Sequence, residues 1–357
     1  MYTELNVTTH FSFLRGASSC DELFATAALL GHKALGVTDS NSVAGMVRAL
    51  VAAKATDMRL VPGCRLDLVD GDSLLVWPED REAWSRLTRL LSLGKGRADA
   101  QRGEKGRCFL YWEDVALWSE GLVAALVPDE PDARTEYGLA WMAELFGDRA
   151  HLALSYRRRP GDRLRLHQLE ALGRSYGVKP LAVGDVLYHS PDRRMLQDVV
   201  TAIREKCTID ALGFKRERHA DRHLKSVREM ERLFAAHPEA IANSAAIAER
   251  CTFDLRQLRY QYPDELVMSG RSPQDALERL AHAALRKRFG GSAPAAYKKL
   301  LKHELRLVRQ MEYAPYFLTV NSIVAYARSQ GILCQGRGPK ARSTVAGCRV
   351  PAPTSMS

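Results

Sequence analysis

Near the start of the chain Leu5 and Val7 alternate with Asn6 and Thr8, the period of two expected for a short strand. Gly16 to Ser18 then break the chain before a helix that begins at Asp21. The same grammar repeats. Apolar runs predict strands over 34–38, 59–61, 122–127, 151–155 and 181–186, and segments of helical period predict helices over 21–32, 42–56, 79–93, 134–146 and 164–176. In the third of these helices Trp84, Leu87, Leu90 and Leu91 share one side. Residues 66–78 read as a hairpin turned at Asp70-Gly71, and 94–107, with Lys95, Arg97, Arg102, Lys105 and Arg107, read as a basic, glycine-containing surface loop. Strand and helix alternating over about 190 residues predict an α/β fold with a parallel sheet closed into a distorted βα barrel.

After Pro191 only helical patterns remain, over 193–205, 226–234, 238–251, 273–289, 295–313 and 317–330. The run Tyr260-Gln261-Tyr262-Pro263, with Ser269-Gly270 after it, marks a boundary. The expected division is a barrel domain over 1–205, a helical connector over 206–262, a second helical region over 263–338 and a tail over 339–357. That tail has three prolines, no acid and no periodicity, and is expected to be disordered.

Composition narrows the class. With 46% hydrophobic and 26% charged residues, the 357-residue chain is not disordered as a whole. No stretch approaches the length of a membrane span and the N-terminus lacks a signal-peptide pattern, so the expectation is a cytosolic protein with no membrane partner. Seven widely spaced cysteines contain no Cys-x-x-Cys pair and read as reduced, buried thiols. A net charge of +10 suits a polyanionic partner.

Strand ends on the open face of such a barrel collect candidate site residues: Asn6 and Thr8, Asp39 and Ser40, Arg65, and Asp185 in Val183-Gly184-Asp185-Val186-Leu187-Tyr188-His189. Their positions resemble the metal-binding face of the polymerase-and-histidinol-phosphatase (PHP) domain, whose motifs are His-x-His, Asp-His, Glu and Asp-x-His. Where that pattern has ligands, this sequence has Asn6, Thr8, Ser40, Arg65 and Leu187, and only Asp39 and Asp185 match. Two carboxylates are too few for a hydrolytic metal site, and a guanidinium about 4 Å from a unit charge interacts by roughly 4 kcal/mol at an effective dielectric near 20. An Arg65–Asp39 or Arg65–Asp185 ion pair is the expected use of these residues, leaving a vestigial, metal-free face. His10 and His189 are the only histidines near enough in sequence to complete a ligand set, and both also suit capping or surface roles.

A second constellation lies at the far end. Gln335-Gly336-Arg337-Gly338 can turn backbone N–H groups and a guanidinium toward a phosphate, or can simply turn the chain. Together with Tyr313-Ala314-Pro315-Tyr316-Phe317-Leu318 and the helix ending at Gly331-Ile332, it resembles the start of the palm in bacterial C-family DNA polymerases of the DNA polymerase III alpha-subunit type. Residues 11–18, Phe-Ser-Phe-Leu-Arg-Gly-Ala-Ser, and 185–189 resemble the error-prone branch of that family. The resemblance runs from about residue 2 to 338.

It implies template-directed nucleotidyl transfer at damaged DNA, with Mg2+, deoxynucleoside triphosphates, primer-template DNA and other mutagenesis or replisome proteins as cofactors and partners. Gly336, Arg337 and Gly338 would then contact a nucleotide phosphate. Pro339 departs from the family's Ser-Ala-Ala continuation, which leads to the expectation of a truncation or frame change after Gly338. The one Asp-x-Asp in the chain, Asp70-Gly71-Asp72, reads as a turn, so no catalytic acid pair is expected and the chain alone should be inactive. A basic stripe of Lys299, Lys302, Arg306 and Arg309, opposite Leu301, Leu305, Val308 and Met311, is a DNA-binding candidate or a solvated face. The rival readings are a metal-dependent PHP phosphoesterase or exonuclease, and a non-catalytic nucleic-acid-binding remnant.

Overall fold

In a computed structural model the described residues are 2–102, 106–258 and 272–334, with the side chains of 99–102 left out. The chain divides into two units, 1–258 and 259–357.

The first unit carries eight strands and nine helices among its described residues, in the order β1 (Glu4–Val7), α1 (Cys20–Leu29), β2 (Ala34–Val37), α2 (Met46–Ala55), β3 (Arg59–Pro62), β4 (Cys64–Leu66), β5 (Ser73–Pro78), α3 (Arg81–Arg102), α4 (Trp112–Trp118), β6 (Leu122–Val127), α5 (Ala133–Phe146), β7 (Ala150–Leu154), α6 (Asp162–Ser175), β8 (Lys179–Ala182), α7 (Arg194–Glu205), α8 (Val227–Leu233) and α9 (Pro238–Arg250). Local chemistry sets several starts. Ser19 and Glu22 form a reciprocal capping box on α1, Asp132 caps α5, and Pro238 opens α9 where its missing N–H costs nothing.

Strands β1, β2 and β3 pair in parallel, and β4 to β8 form a second sheet in which β5 runs antiparallel to both neighbours. Two seams join the sheets into the distorted barrel that the strand pattern predicts. At one, Arg65 N–H donates to Asp39 O at 3.1 Å and Asn41 N–H to Arg65 O at 2.7 Å. At the other, Thr8 N–H donates to Val186 O and Val186 N–H to Asn6 O, both at 2.9 Å.

Alternation along the strands sorts the core. Leu5, Val61, Leu75, Trp77, Val123, Ala125, Ala153 and Leu181 cluster with Ile247 and Ala248 of α9 and with Cys251, which follows it. The intervening Leu74, Val76, Ala124, Leu126, Leu152 and Leu154 pack in a second cluster with residues of the outer helices. Helix α9 closes one end of the barrel: Thr3 N–H donates to Ser244 Oγ at 3.0 Å and Asn243 Nδ2 to Pro180 O at 2.8 Å. The opposite end, where the parallel strands finish, stays open.

The surface loop expected over 94–107 is, through Arg102, the second half of α3. Gly94 lies inside the helix because close packing requires it. A Cβ there would meet the Cys108 sulfur and the Leu110 side chain at 2.6–2.8 Å, and Phe109 N–H donates to Gly94 O at 3.0 Å. Arg97 holds the helix down through a bidentate pair to Asp114, at 2.6 and 2.8 Å. Lys105 lies outside the described residues.

The second unit contains α10 (Pro273–Arg288), α11 (Ala295–Gln310) and α12 (Ala314–Ser329), packed through Leu277, Ala281, Leu285, Leu301, Leu305, Val308 and Leu318. Ser272 caps α10 ahead of Pro273. Helix α11 stops at Gln310, so Met311 leaves the apolar side assigned to it and is 56% exposed. The expected boundary at 260–270, the Gly336-Arg337-Gly338 nest and the tail over 339–357 lie outside the described residues.

Candidate functional site

The two seams deliver Asn6, Thr8, Ser40, Arg65 and Asp185 to one place, the open end of the barrel. Asp185 is the hub. Its Oδ1 lies 2.7 Å from Arg222, 3.7 Å from Arg65 and 3.4 Å from the Asn6 amide, and its backbone carbonyl accepts from Arg222 Nε at 2.9 Å. Burial alone would push this carboxyl up, but Arg222, Arg65 and Arg157 together bring it down to about 2. Its backbone is left-handed, with φ of 48°, a conformation that Asp tolerates better than most residues.

Of the two ion pairs expected for Arg65, the one with Asp185 forms. Asp39 has another use. Its carboxylate accepts from Thr9 N–H and Thr9 Oγ1, each at 2.8 Å, and from Ser12 Oγ at 2.7 Å, tying the loop after β1 to the end of β2. Burial raises the Asp39 carboxyl even so, against those hydrogen bonds. Gly16 lets this loop fold back on itself, because a Cβ there would overlap the Thr9 carbonyl.

Neither histidine near the site faces a ligand set. His10 Nδ1 lies 3.3 Å from Ser18 O, and His189 Nδ1 lies 2.8 Å from Ser18 Oγ. Leu187 is buried beside Ala17 and Tyr188.

Sequence reasoning missed four partners. Asp67, on the same side of the chain as Arg65 by period two, accepts from Arg65 Nε at 3.1 Å, from Ser73 Oγ at 2.8 Å and from Ser40 Oγ, and it pairs with Arg15 at 3.4 Å. That spacing was readable. Arg15, Arg157 and Arg222 were not, since each arrives from a loop with no periodic signal; Arg157 pairs with Asp129, and Arg222 also reaches Glu217 at 3.2 Å. These three arginines and Arg65 line a cleft of about 850 Å³.

The residues present do not fit the metal ions of a PHP phosphoesterase. Among the described residues no group of three or more His, Cys, Asp or Glu is placed to hold a metal ion, and the Asp185 carboxylate is already paired with two guanidiniums.

In the second unit Lys299, Lys302, Arg306 and Arg309 do come together along one groove between α10 and α11. Arg309 pairs with Glu278 at 2.7 Å, and Arg306 lies 3.2 Å from His303 Nδ1. The Asp70-Gly71-Asp72 pair serves structure: Asp70 accepts from Trp112 N–H at 3.2 Å, and Asp72 pairs with Arg134 at 2.9 Å. Among the described residues no helix is long and apolar enough to cross a membrane.

Residues 4–158 match the PHP domain family, and residues 275–349 match the bacterial DNA polymerase III alpha NTPase domain. Error-prone DNA polymerase 2 of Rhizobium meliloti is 56% identical over 344 residues, which is 96% of this chain and 31% of the relative. The error-prone DNA polymerase of Caulobacter vibrioides is 47% identical over 350 residues, 98% of this chain and 32% of the relative. Among solved structures, an amidohydrolase from Chromobacterium violaceum aligns with a TM-score of 0.42 at 14% identity, over 52% of this chain and 88% of its own. The chain thus spans about a third of the length of these error-prone DNA polymerases, to which it is similar over nearly the whole of its own length.

Proposed function

We propose that this chain is the PHP-barrel portion of a polymerase that copies damaged DNA by template-directed nucleotidyl transfer, using Mg2+ and deoxynucleoside triphosphates on a primer-template in the cytoplasm. Other mutagenesis or replisome proteins would act with it. The observation that carries the reading is the 56% identity to an error-prone DNA polymerase sustained across 96% of the chain. The barrel's part is structural: an arginine–carboxylate cluster occupies the face where a phosphoesterase would hold metal.

On this reading residues 1–205 are the barrel domain, 206–262 the connector that supplies Arg222 and α9, and 263–338 the start of the palm, with Gly336, Arg337 and Gly338 meeting a nucleotide phosphate. Two-metal phosphoryl transfer needs paired carboxylates, and the single Asp-x-Asp here is committed to Trp112 and Arg134. The chain alone therefore extends no primer.

The test is a primer-extension assay of this chain beside a full-length relative, on undamaged and abasic templates. Extension by the relative and none by the chain is expected. Extension by the chain alone would overturn the assignment of its role, and hydrolysis of a chromogenic phosphate ester dependent on Asp39 or Asp185 would favour the phosphoesterase reading.

The groove of α11 supports a DNA-contacting role for Lys299, Lys302, Arg306 and Arg309. Anisotropy with primed DNA should show affinity that falls steeply with salt, and binding indifferent to salt would refute phosphate contact there.

A further inference from the structure

Helix α7 carries its polarity the wrong way round. Its buried residues, Ala202 apart, are polar: Gln197, Asp198 and Thr201, with Thr201 Oγ1 donating to Gln197 O at 2.8 Å and Asp198 accepting from Arg216 Nε at 2.9 Å. Its apolar residues face away from the unit: Met195 is 63% exposed, Leu196 40%, Val199 39% and Ile203 58%. A helix that packs only on its own core keeps its apolar stripe inward, so a stripe turned outward is built for a second contact. The ties of α7 to its surroundings leave that stripe clear. Arg204 donates to Leu14 O at 3.0 Å and Glu205 pairs with Lys215, both from sides of the helix turned away from the apolar stripe.

The spacing along the stripe says what covers it. Asp192, Met195, Val199, Ile203 and Lys206 recur every three or four residues, the period of a helix–helix seam, over about 21 Å at roughly 1.5 Å per residue. This seam is symmetric about Val199: Met195 and Ile203 lie four residues to either side of it, and Asp192 and Lys206 lie seven. Asp192 and Lys206 are both exposed, and among the described residues neither has an ion pair. An acidic helix or an anionic lipid surface would satisfy Lys206 but meet Asp192 with like charge. A second copy running antiparallel satisfies both ends at once. We propose that the chain forms a two-fold dimer through α7, with Val199 of the two copies meeting on the axis, Met195 packed against Ile203, and Asp192 paired with Lys206. At the edge Arg194 comes opposite Arg204, but each is already paired at home, with Asp198 at 3.9 Å and with Glu205 at 3.2 Å.

This inference goes beyond the polymerase reading and does not rest on it, so failure of primer extension would leave it untouched. Sedimentation equilibrium of the full chain, from about 1 to about 200 µM, tests it. A seam of this length gives a weak, reversible dimer, with a dissociation constant on the order of 10 µM. Val199→Glu, which sets two like charges on the axis, should weaken it by at least about tenfold. Asp192→Lys and Lys206→Asp should each weaken it by about tenfold, because each turns two attractive contacts per dimer into repulsive ones. An equimolar mixture of those two variants should recover wild-type affinity, since in the mixed dimer every Asp again meets a Lys.

Tryptophan fluorescence verifies that each variant is folded. Should Val199→Glu unfold, the two charge variants decide alone: both positions are exposed, and Asp suits the left-handed backbone of Lys206, with φ of 55°. A chain that stays monomeric at about 200 µM would leave the stripe to a different protein and overturn the proposal. A dimer that Val199→Glu does not weaken would place the contact elsewhere on the chain. A mixture of the charge variants that fails to recover affinity would refute the antiparallel pairing, and either result would equally overturn the proposal.

Discussion

Replacing Asp185 by Asn tests the claim that charge, not metal, organises the open face. Asn has nearly the same shape and accepts the left-handed backbone at this position, so the substitution removes the charge and little else. The magnitude follows from the titration. Asp185 falls from 3.8 to about 2, and each pKa unit is 1.36 kcal/mol, so the folded protein favours its ionised form by about 2.5 kcal/mol. At neutral pH Asp185→Asn should lose about that much, with Arg65 and Arg222 left facing each other. Because the folded pKa is depressed, the contribution is complete above 3.8 and disappears as pH falls toward 2.

Urea unfolding followed by tryptophan fluorescence reports the first unit alone, since Trp77, Trp84, Trp112, Trp118 and Trp141 are all five tryptophans of the chain. Wild type should lose its advantage over the variant between pH 4 and 2. A variant within about 0.5 kcal/mol of wild type at pH 7, with a parallel acid limb, would refute the reasoning. Asp185→Ala should cost about 1 kcal/mol more, from backbone strain.

Glu4, buried in β1 and accepting from Tyr2 OH, Asn6 N–H and Gly184 N–H, is pushed by burial to about 7. Its folded pKa is raised, so its contribution is present below 4.5 and is lost as pH rises through 7; the stability difference between wild type and Glu4→Gln should change by about 3 kcal/mol across that window, and a constant difference would count against it. Taking differences matters, because buried His151, pushed down to about 4, tilts the wild-type curve the other way. Arg97→Ala should cost about 3 kcal/mol in urea unfolding and raise amide exchange in the second half of α3, by stranding Asp114, which is 8% exposed at its side chain; unchanged exchange would contradict the helix-pinning role. Gly16→Ala should lower the thermal midpoint by several degrees by forcing the loop after β1 off the Thr9 carbonyl, and wild-type melting would show that the loop yields freely.

Hydrophobic periodicity alone determined most of the barrel. Strand β6 over 122–127 and helix α5 from about 134 to 146 were legible because alternation and helical spacing are local consequences of one side being buried. The strand pattern also led to the expectation that Asn6, Thr8 and Arg65 share the open face, where the structure brings them together. The sequence misled at Gly94, since a glycine chosen for the close approach of residues 108–110 looks the same in one dimension as a glycine chosen to break a helix. What only the tertiary structure decided was the convergence of Arg15, Arg157 and Arg222 on Asp185. Side chains brought together by loop paths carry no period, and the charge of a cleft is a sum over residues that are neighbours only after the barrel has closed.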